Sequence, residues 1–405
     1  MKGRIAHMNE GASSKSSNGL VWLLAVCCFI LGSAQQYLLG VPDQIASDTG
    51  VSLSAISLLM TAYALVNALL APVAIMVTAK WSQRRQLIGG MVLIVAGLAL
   101  MGLTNNFGLL IFSRGLVGLG NGVFVVTAYA LAQSLAAPGK QASAMADVAL
   151  GFSASSVLAM PIARALRDII SWHSAYLALA VLGVVGIVAV MRLIPEIKSA
   201  NASSSAKDRL APLANKAVVS ALAGSLFVFM AFSVFYTYIT PFIDTAMPEL
   251  GSGTSVVLFG LGIMSLIGTK LCGVIADRFS PRTAIEFCLV SIALMLAATF
   301  ALEGAGYGVI PPLLLWMGAA WMFVPVQNVV LTDLAGEGSA MALSLSNSFM
   351  QMGNALGAPI AGAVIAVAPV MVLPLVAVPF ILAAFGFEEF AFRKGQLPRR
   401  SGKRA

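Results

Sequence analysis

Residues 20–31 read LVWLLAVCCFIL and residues 181–191 read VLGVVGIVAVM, two runs without a charged side chain. A strand spanning a bilayer alternates apolar and polar residues over about ten positions, whereas these runs are apolar all round. Backbone polar groups in lipid must pair inside the protein, so only helices and closed barrels cross a membrane. The runs therefore predict spanning helices of about 20 residues. Working outward, twelve segments qualify: 20–41, 55–78, 87–104, 108–132, 146–166, 174–193, 217–243, 254–276, 284–302, 309–332, 339–363 and 366–387. An even number of spans brings both ends of the chain to one face. Composition agrees, with 59% apolar and 10% charged residues in 405, against about 45–50% and about 25% in soluble domains. No core of this size hides that excess, so it faces lipid. A soluble enzyme, a secreted disulfide scaffold and a disordered chain are excluded.

Charge placement predicts the orientation. Of the 24 Lys and Arg, twenty fall in the two ends and the loops on their side; the opposite face has Arg164 and Arg167. Arg114 and Lys270 lie within spans. This asymmetry predicts a multi-pass protein of the plasma (inner) membrane with both termini cytoplasmic. The net charge of +8 is then an orientation signal touching anionic membrane lipid, not a nucleic-acid footprint. The expected organisation is an N-terminal tail (1–19), a six-helix half (20–193), a linker (194–216), a second six-helix half (217–390) and a basic tail (391–405). Cys27, Cys28, Cys272 and Cys288 fall in apolar spans without ligand spacing, and His7 and His173 are the only histidines. Neither a metal site nor a cofactor is expected, and no phosphate-binding loop or hydrolase elbow points to an enzyme.

The two halves are related. At an offset of 198, Thr78-Ala79-Lys80-Trp81-Ser82-Gln83-Arg84 lies over Ala276-Asp277-Arg278-Phe279-Ser280-Pro281-Arg282. With one further residue of slip, Pro42 matches Pro241. Repeated halves predict a transporter with its site at their interface. The second loop, preceded by Gly268 and Gly273, resembles the loop signature of the major facilitator superfamily. Arg114-Gly115-Leu116-Val117-Gly118-Leu119-Gly120-Asn121-Gly122 resembles that family's fourth-helix motif. Ala62-Tyr63-Ala64-Leu65 with Ala71-Pro72, Tyr236–Pro241 and Gly353–Gly362 resemble its arabinose-efflux-permease-like and drug:proton antiporter branch. The resemblance implies the all-α, twelve-helix, pseudo-symmetric fold, usually a monomer. It departs in the fifth helix, where Ala159, Pro161 and Ala163 stand for Gly-x-Pro-x-Gly, and at Ala79, where the loop signature has Asp.

The resemblance also implies roles. Lys80, Arg84, Arg85, Gly268, Gly273, Asp277, Arg278 and Arg282 would form gating loops, though basic residues there also satisfy topology. Arg114 lies about 9 Å inside the membrane, where an unpartnered Arg is costly and faces the bundle interior. It would assist proton transfer or bind an anionic substrate, or be held structurally by carbonyls. The branch often carries an acid midway along the first helix, where Gln35 and Gln36 stand; glutamine carries no proton. Asp43, Asp147 and Glu286 are the acids considered for proton coupling, the last two also reading as first-turn helix acids. Lys270 either snorkels or binds a substrate carboxylate. Gln35, Gln36, Tyr37, Tyr63, Asn67, Tyr236, Tyr238, Asn347 and Gln351 are candidate lining residues for a small polar or amphipathic solute, though Tyr37 and Tyr238, near helix ends, also read as interfacial anchors. The leading expectation is efflux of a small organic solute in exchange for protons. An importer or proton-independent facilitator of an anionic solute is the alternative, and a non-transporting membrane sensor the second.

Overall fold

The apolar runs fold as helices packed in a bundle, and the computed structural model describes residues 2–78, 80–136, 141–197, 214–278, 280–336 and 339–395. Side chains are described for all of these except 2–18, 141–143, 146, 252, 272–278, 339–341 and 344. The first half comprises α1 (Lys2–Gly40), α2 (Pro42–Thr49), α3 (Ser57–Val77), α4 (Gln83–Leu103), α5 (Phe107–Leu135), α6 (Gln141–Leu166) and α7 (Trp172–Leu193). The second comprises α8 (Lys216–Tyr236), α9 (Ile239–Ala246), α10 (Thr254–Arg278), α11 (Pro281–Ala301), α12 (Ile310–Ala335), α13 (Ser339–Ile365) and α14 (Leu373–Gly395). Among the described residues, eleven helices are long and apolar enough to cross a membrane. The other long helix, α13, has the length, 27 residues, but its Ser346, Asn347, Ser348, Gln351 and Asn354 dilute its apolar character.

Helical backbone begins at Lys2, ahead of the first apolar span, which lies at Gly19–Gly40. Two expected boundaries are corrected. The expected span 217–243 breaks at Tyr238 (φ −116°, ψ 26°) and resumes as α9. Its counterpart breaks at Val41 (φ −135°, ψ 38°) before Pro42, which opens α2. Proline lacks the amide hydrogen that would continue the helix, so it starts a new one instead. The last helix continues to Gly395, eight residues beyond the expected end at 387.

Repetition of the loops has a local cause. Ser82 Oγ accepts from the Arg85 amide at 3.3 Å and Ser280 Oγ from the Thr283 amide at 3.2 Å. Each serine caps the helix that follows, satisfying one of its otherwise unpaired donors. Packing repeats as well. α1 lies on α6 as α8 lies on α13, and α3 on α5 as α10 on α12. The halves meet through α3 with α13 and α6 with α10, two contacts that are symmetry mates of each other. Cys27, Cys28 and Cys288 are buried among apolar neighbours.

Close crossing needs small residues. A Cβ at Gly151 would strike the Ala25 carbonyl across α1 and α6, and one at Gly353 the Leu226 carbonyl across α8 and α13. Helix association in lipid relies on such backbone approach, because apolar burial drives little there. Gly151→Ala is therefore expected to cost about 1–3 kcal/mol by overpacking. Thermal unfolding of the detergent-purified protein measures this; an unchanged midpoint would rule out the tight crossing.

Candidate functional site

A cavity of about 430 Å³ opens where the halves face each other. Gln35, Gln36, Tyr63 and Asn67 border it from the first half, and Tyr236, Asn347 and Gln351 from the second. Helix breaks help to place them. α1 ends at Gly40 and α8 at Tyr236, so the last turns of both helices present their polar residues to the interface. The cavity also takes in Asn121, Tyr129, Ser156, Trp321 and Asn354, which the sequence reading missed. Asn121 lay unremarked inside the fourth-helix motif, seven residues beyond Arg114.

Its chemistry is amide and aromatic. Seven carboxamides (Gln35, Gln36, Asn67, Asn121, Asn347, Gln351 and Asn354) border the space, and none of its described lining residues is charged. Tyr63 Oη donates to Gln35 Oε1 at 2.8 Å and receives the Asn121 amide at 2.6 Å. Gln36 Nε2 donates to Ser156 Oγ at 3.1 Å, and Asn354 Nδ2 to Gln351 Oε1 at 3.2 Å. Asn121 Oδ1 is buried without a partner, an acceptor left open at the cavity wall. Opposite these, Phe232 stacks on Tyr236 at 4.6 Å and meets Trp321 edge-on at 6.5 Å between ring centres. A further cavity of about 220 Å³ shares Tyr129, Phe152, Ser156, Trp321 and Val324, and runs between α6 and α10 past Ala149 and Thr269.

The face opposite the chain termini is latched. Arg164, whose side chain is 5% exposed, pairs with Asp43 at 3.2 Å within its own half and with Asp244 of the other half. Arg167 also pairs with Asp43 at 3.2 Å, and Thr254 donates to Asp244 at 2.8 Å. Thr240 donates across to the Leu39 carbonyl at 2.6 Å. Tyr238 does the same to the carbonyls of Leu53 and Ser54 at 3.1 and 3.0 Å. Asp43 is thus an ion-pair partner at the latch, Tyr238 a strut between halves, and Tyr37 packs edge-on against Tyr176 at 5.4 Å between ring centres; none of the three borders the cavity.

Other candidates also fall away from the cavity. Arg114 is fully buried, and among the described residues no acid pairs with it. Its guanidinium donates to the carbonyls of Ala34 at 3.3 Å and Leu59 at 3.5 Å, and lies 5.0 Å from the centre of the Tyr63 ring. It stands directly behind the cavity wall, joining α1, α3 and α5. Lys270 is exposed on α10, and Asp147 is half-buried on α6 without bordering the cavity. Glu286 accepts from Arg282 at 2.8 Å, and Arg282 reaches on to Glu389 at 2.6 Å.

The gating candidates divide similarly. Lys80 is exposed, Arg84 donates to the Met191 carbonyl, and Arg85 pairs with Glu196 at 3.2 Å on the surface. Gly268 admits the backbone of Gly318. The side chains of Asp277 and Arg278, and the surroundings of Gly273, lie outside the described residues. Ala159, Pro161 and Ala163 are buried on α6, where a Cβ at Gly40 would meet Ala163 and the Met160 carbonyl at 2.7 Å.

One buried acid went unnoticed in the sequence. Glu388 is 1% exposed inside α14 and accepts from Gln327 Nε2 at 2.7 Å. Phe390, Ala391 and Phe392 continue the apolar run beyond the Glu388-Glu389 pair, a signal that the helix had not ended.

The sequence model of the Major Facilitator Superfamily matches residues 21–358. The chain is 31% identical over 348 residues to the uncharacterized MFS-type transporter YbcL of Bacillus subtilis, covering 86% of this chain and 89% of that protein. It is 29% identical over 339 residues to the inner membrane transport protein YdhP of Escherichia coli K12, covering 84% and 87%. Among solved structures, a bacterial homologue of the human lysosomal transporter Spinster, inward-facing and unoccupied, superposes with a TM-score of 0.76 at 16% identity, covering 96% of this chain and 99% of that one. The nucleoside transporter NupG gives 0.76 at 13% identity, covering 92% and 99%.

Proposed function

The chain belongs to the Major Facilitator Superfamily and is a membrane transporter; we propose that it exports a small, uncharged, amphipathic organic solute by alternating access, in exchange for protons. The observation that carries this reading is a cavity of amides and rings with no charge among its described lining residues, bordered by both halves and latched shut on one face. With the termini cytoplasmic, as the basic residues favour, the latch lies outside and the cavity is poised to load from the cytoplasm. The plasma membrane is the corresponding location.

Carboxamides supply donors and acceptors together, so they suit a neutral planar solute bearing amide or hydroxyl groups, with aromatic walls against its flat face. A carboxylate solute would enter without a cation to meet it. Arg114 lies behind the wall and Lys270 away from it, which removes the support for an anion importer. The cavity is complete within one chain, so a monomer suffices.

Counterflow in liposomes tests the reading, with equal pH on both sides and a panel of neutral aromatic amides beside their carboxylate analogues. Neutral members are expected to exchange at least about tenfold faster, a difference of 1.4 kcal/mol. Preference for the carboxylates would overturn the substrate class.

A further inference from the structure

Among its described lining residues the central cavity holds no acid, and Asp43, Asp147 and Glu286 do not border it. Glu388 is different. It lies seven residues before the end of α14, about 10 Å along the helix axis, between α8, α12 and α14. Gln327 Nε2 donates both its hydrogens, one to Glu388 Oε1 and one to the Ala221 carbonyl, each at 2.7 Å. Glu388 Oε2 and Gln327 Oε1 are both buried without a hydrogen-bond partner. A Cβ at Gly224 of α8 would strike the Glu388 carboxyl, so the neighbouring helix leaves room for this side chain.

No described cation compensates it. On α8 the only charge is Lys216, which is exposed; on α12 it is Asp333, also exposed. α13 carries no charged residue. On α11, Arg282 is engaged by Glu286 and Glu389, and on α14 Arg393 is engaged by Glu389 at 3.0 Å. Lys394 of α14 lies over the Phe390 ring at 5.9 Å. An ionised carboxylate at this position would have one neutral donor and no counter-charge, a costly state in an apolar interior. A single proton on Oε2 removes the charge and supplies a donor where two acceptors stand bare.

Its setting links it to the halves' motion. Val218, Leu222, Leu331 and Ala391, all buried, form an apolar layer between the carboxyl and the terminal face. Deeper in, Gln327 stands one turn from Val324 and two from Trp321, both on the cavity wall. Pro325 lies between, in α12, and lacks the amide hydrogen that would bond the Trp321 carbonyl. The segment bearing Gln327 is thereby loosened from the segment bearing the wall.

We propose that Glu388, paired with Gln327, is the proton-binding group of the C-terminal half. It takes a proton from water onto Oε2 when α8, α12 and α14 part, and returns that proton to water on the other side of the cycle. The assignment names the coupling residue for the proton exchange proposed above and rests on that reading.

Infrared difference spectroscopy of the full-length protein in lipid tests it without requiring transport. The wild type is expected to show the carbonyl band of a neutral carboxylic acid, shifted in D2O; Glu388→Gln should lose it, whereas Glu389→Gln should keep it. In liposomes bearing a pH gradient, Glu388→Gln should reduce solute accumulation at least about tenfold, the factor equivalent to 1.4 kcal/mol. Glutamine keeps size and hydrogen-bonding capacity, and an unchanged thermal midpoint confirms folding. A neutral-acid band that survives Glu388→Gln, or undiminished gradient-driven accumulation, overturns the assignment. Absence of counterflow in the wild type at equal pH would instead refute the transport reading and leave the spectroscopic test of Glu388 in force.

Discussion

Arg164→Gln is expected to open the latched face. Arg164 is the shared cation of Asp43 and Asp244, and its bond to Asp244 crosses between the halves. Removing one member of a buried ion pair costs about 3–5 kcal/mol. Asp244 keeps 32% of its side chain exposed, so solvent softens the loss to the lower end, about 3 kcal/mol. The Asp43 pair lies within the first half and does not depend on the latch, so the energy of the Arg164–Asp244 bond is what the latched state alone loses. At 1.4 kcal/mol per decade the equilibrium moves about a hundredfold toward the opposite opening. Spin labels on the exposed residues Ser47 and Thr245, one on each half at this face, should report a longer separation. Unchanged distances would show that Thr240 and Tyr238, with their bonds to the opposing backbone, hold the face without the ion pair.

Arg114→Lys should destabilise the protein more than Arg114→Met. A lysine keeps the buried charge but loses the planar fork that reaches the Ala34 and Leu59 carbonyls while lying over Tyr63. The insertion cost of about 2.5–3.5 kcal/mol for a cation within the membrane then stands largely uncompensated. We expect a loss of about 3 kcal/mol for the lysine variant on that scale. Methionine removes the charge together with its requirements, and a comparable volume remains. Counterflow should fall in both variants, because Arg114 backs the Tyr63–Gln35–Asn121 cluster at the cavity wall. Thermal unfolding separates the two effects: a lysine variant as stable as the wild type would mean that the carbonyl contacts contribute nothing.

Legibility in the sequence followed the kind of question asked. Gln35, Gln36, Tyr63, Asn67, Tyr236, Asn347 and Gln351 stand out as polar residues in apolar spans, and all seven border the cavity. Tyr37 and Tyr238 pass the same filter, yet Tyr37 packs against Tyr176 and Tyr238 turns to the backbone of the other half, where the helix breaks. Asp43 stood at the right end of its helix, but its partner Arg164 lies 121 residues away. Glu388 stands beside Glu389 just past the expected end of its span, and only the packing of α8 and α12 shows that one acid of the pair is enclosed.

By itself the sequence determined that the chain lives in lipid, that it crosses as helices, and that its halves repeat. Each of these is a sum over about 20 residues or a match between loops, and single positions hardly affect it. Tertiary structure alone decided which side of each helix is inside. In a soluble helix an apolar stripe marks the core, but here lipid and core are equally apolar and the stripe vanishes. Only the packed positions of neighbouring helices separate Gln35, which borders the cavity, from Arg114 behind the wall and Lys270 on the outside.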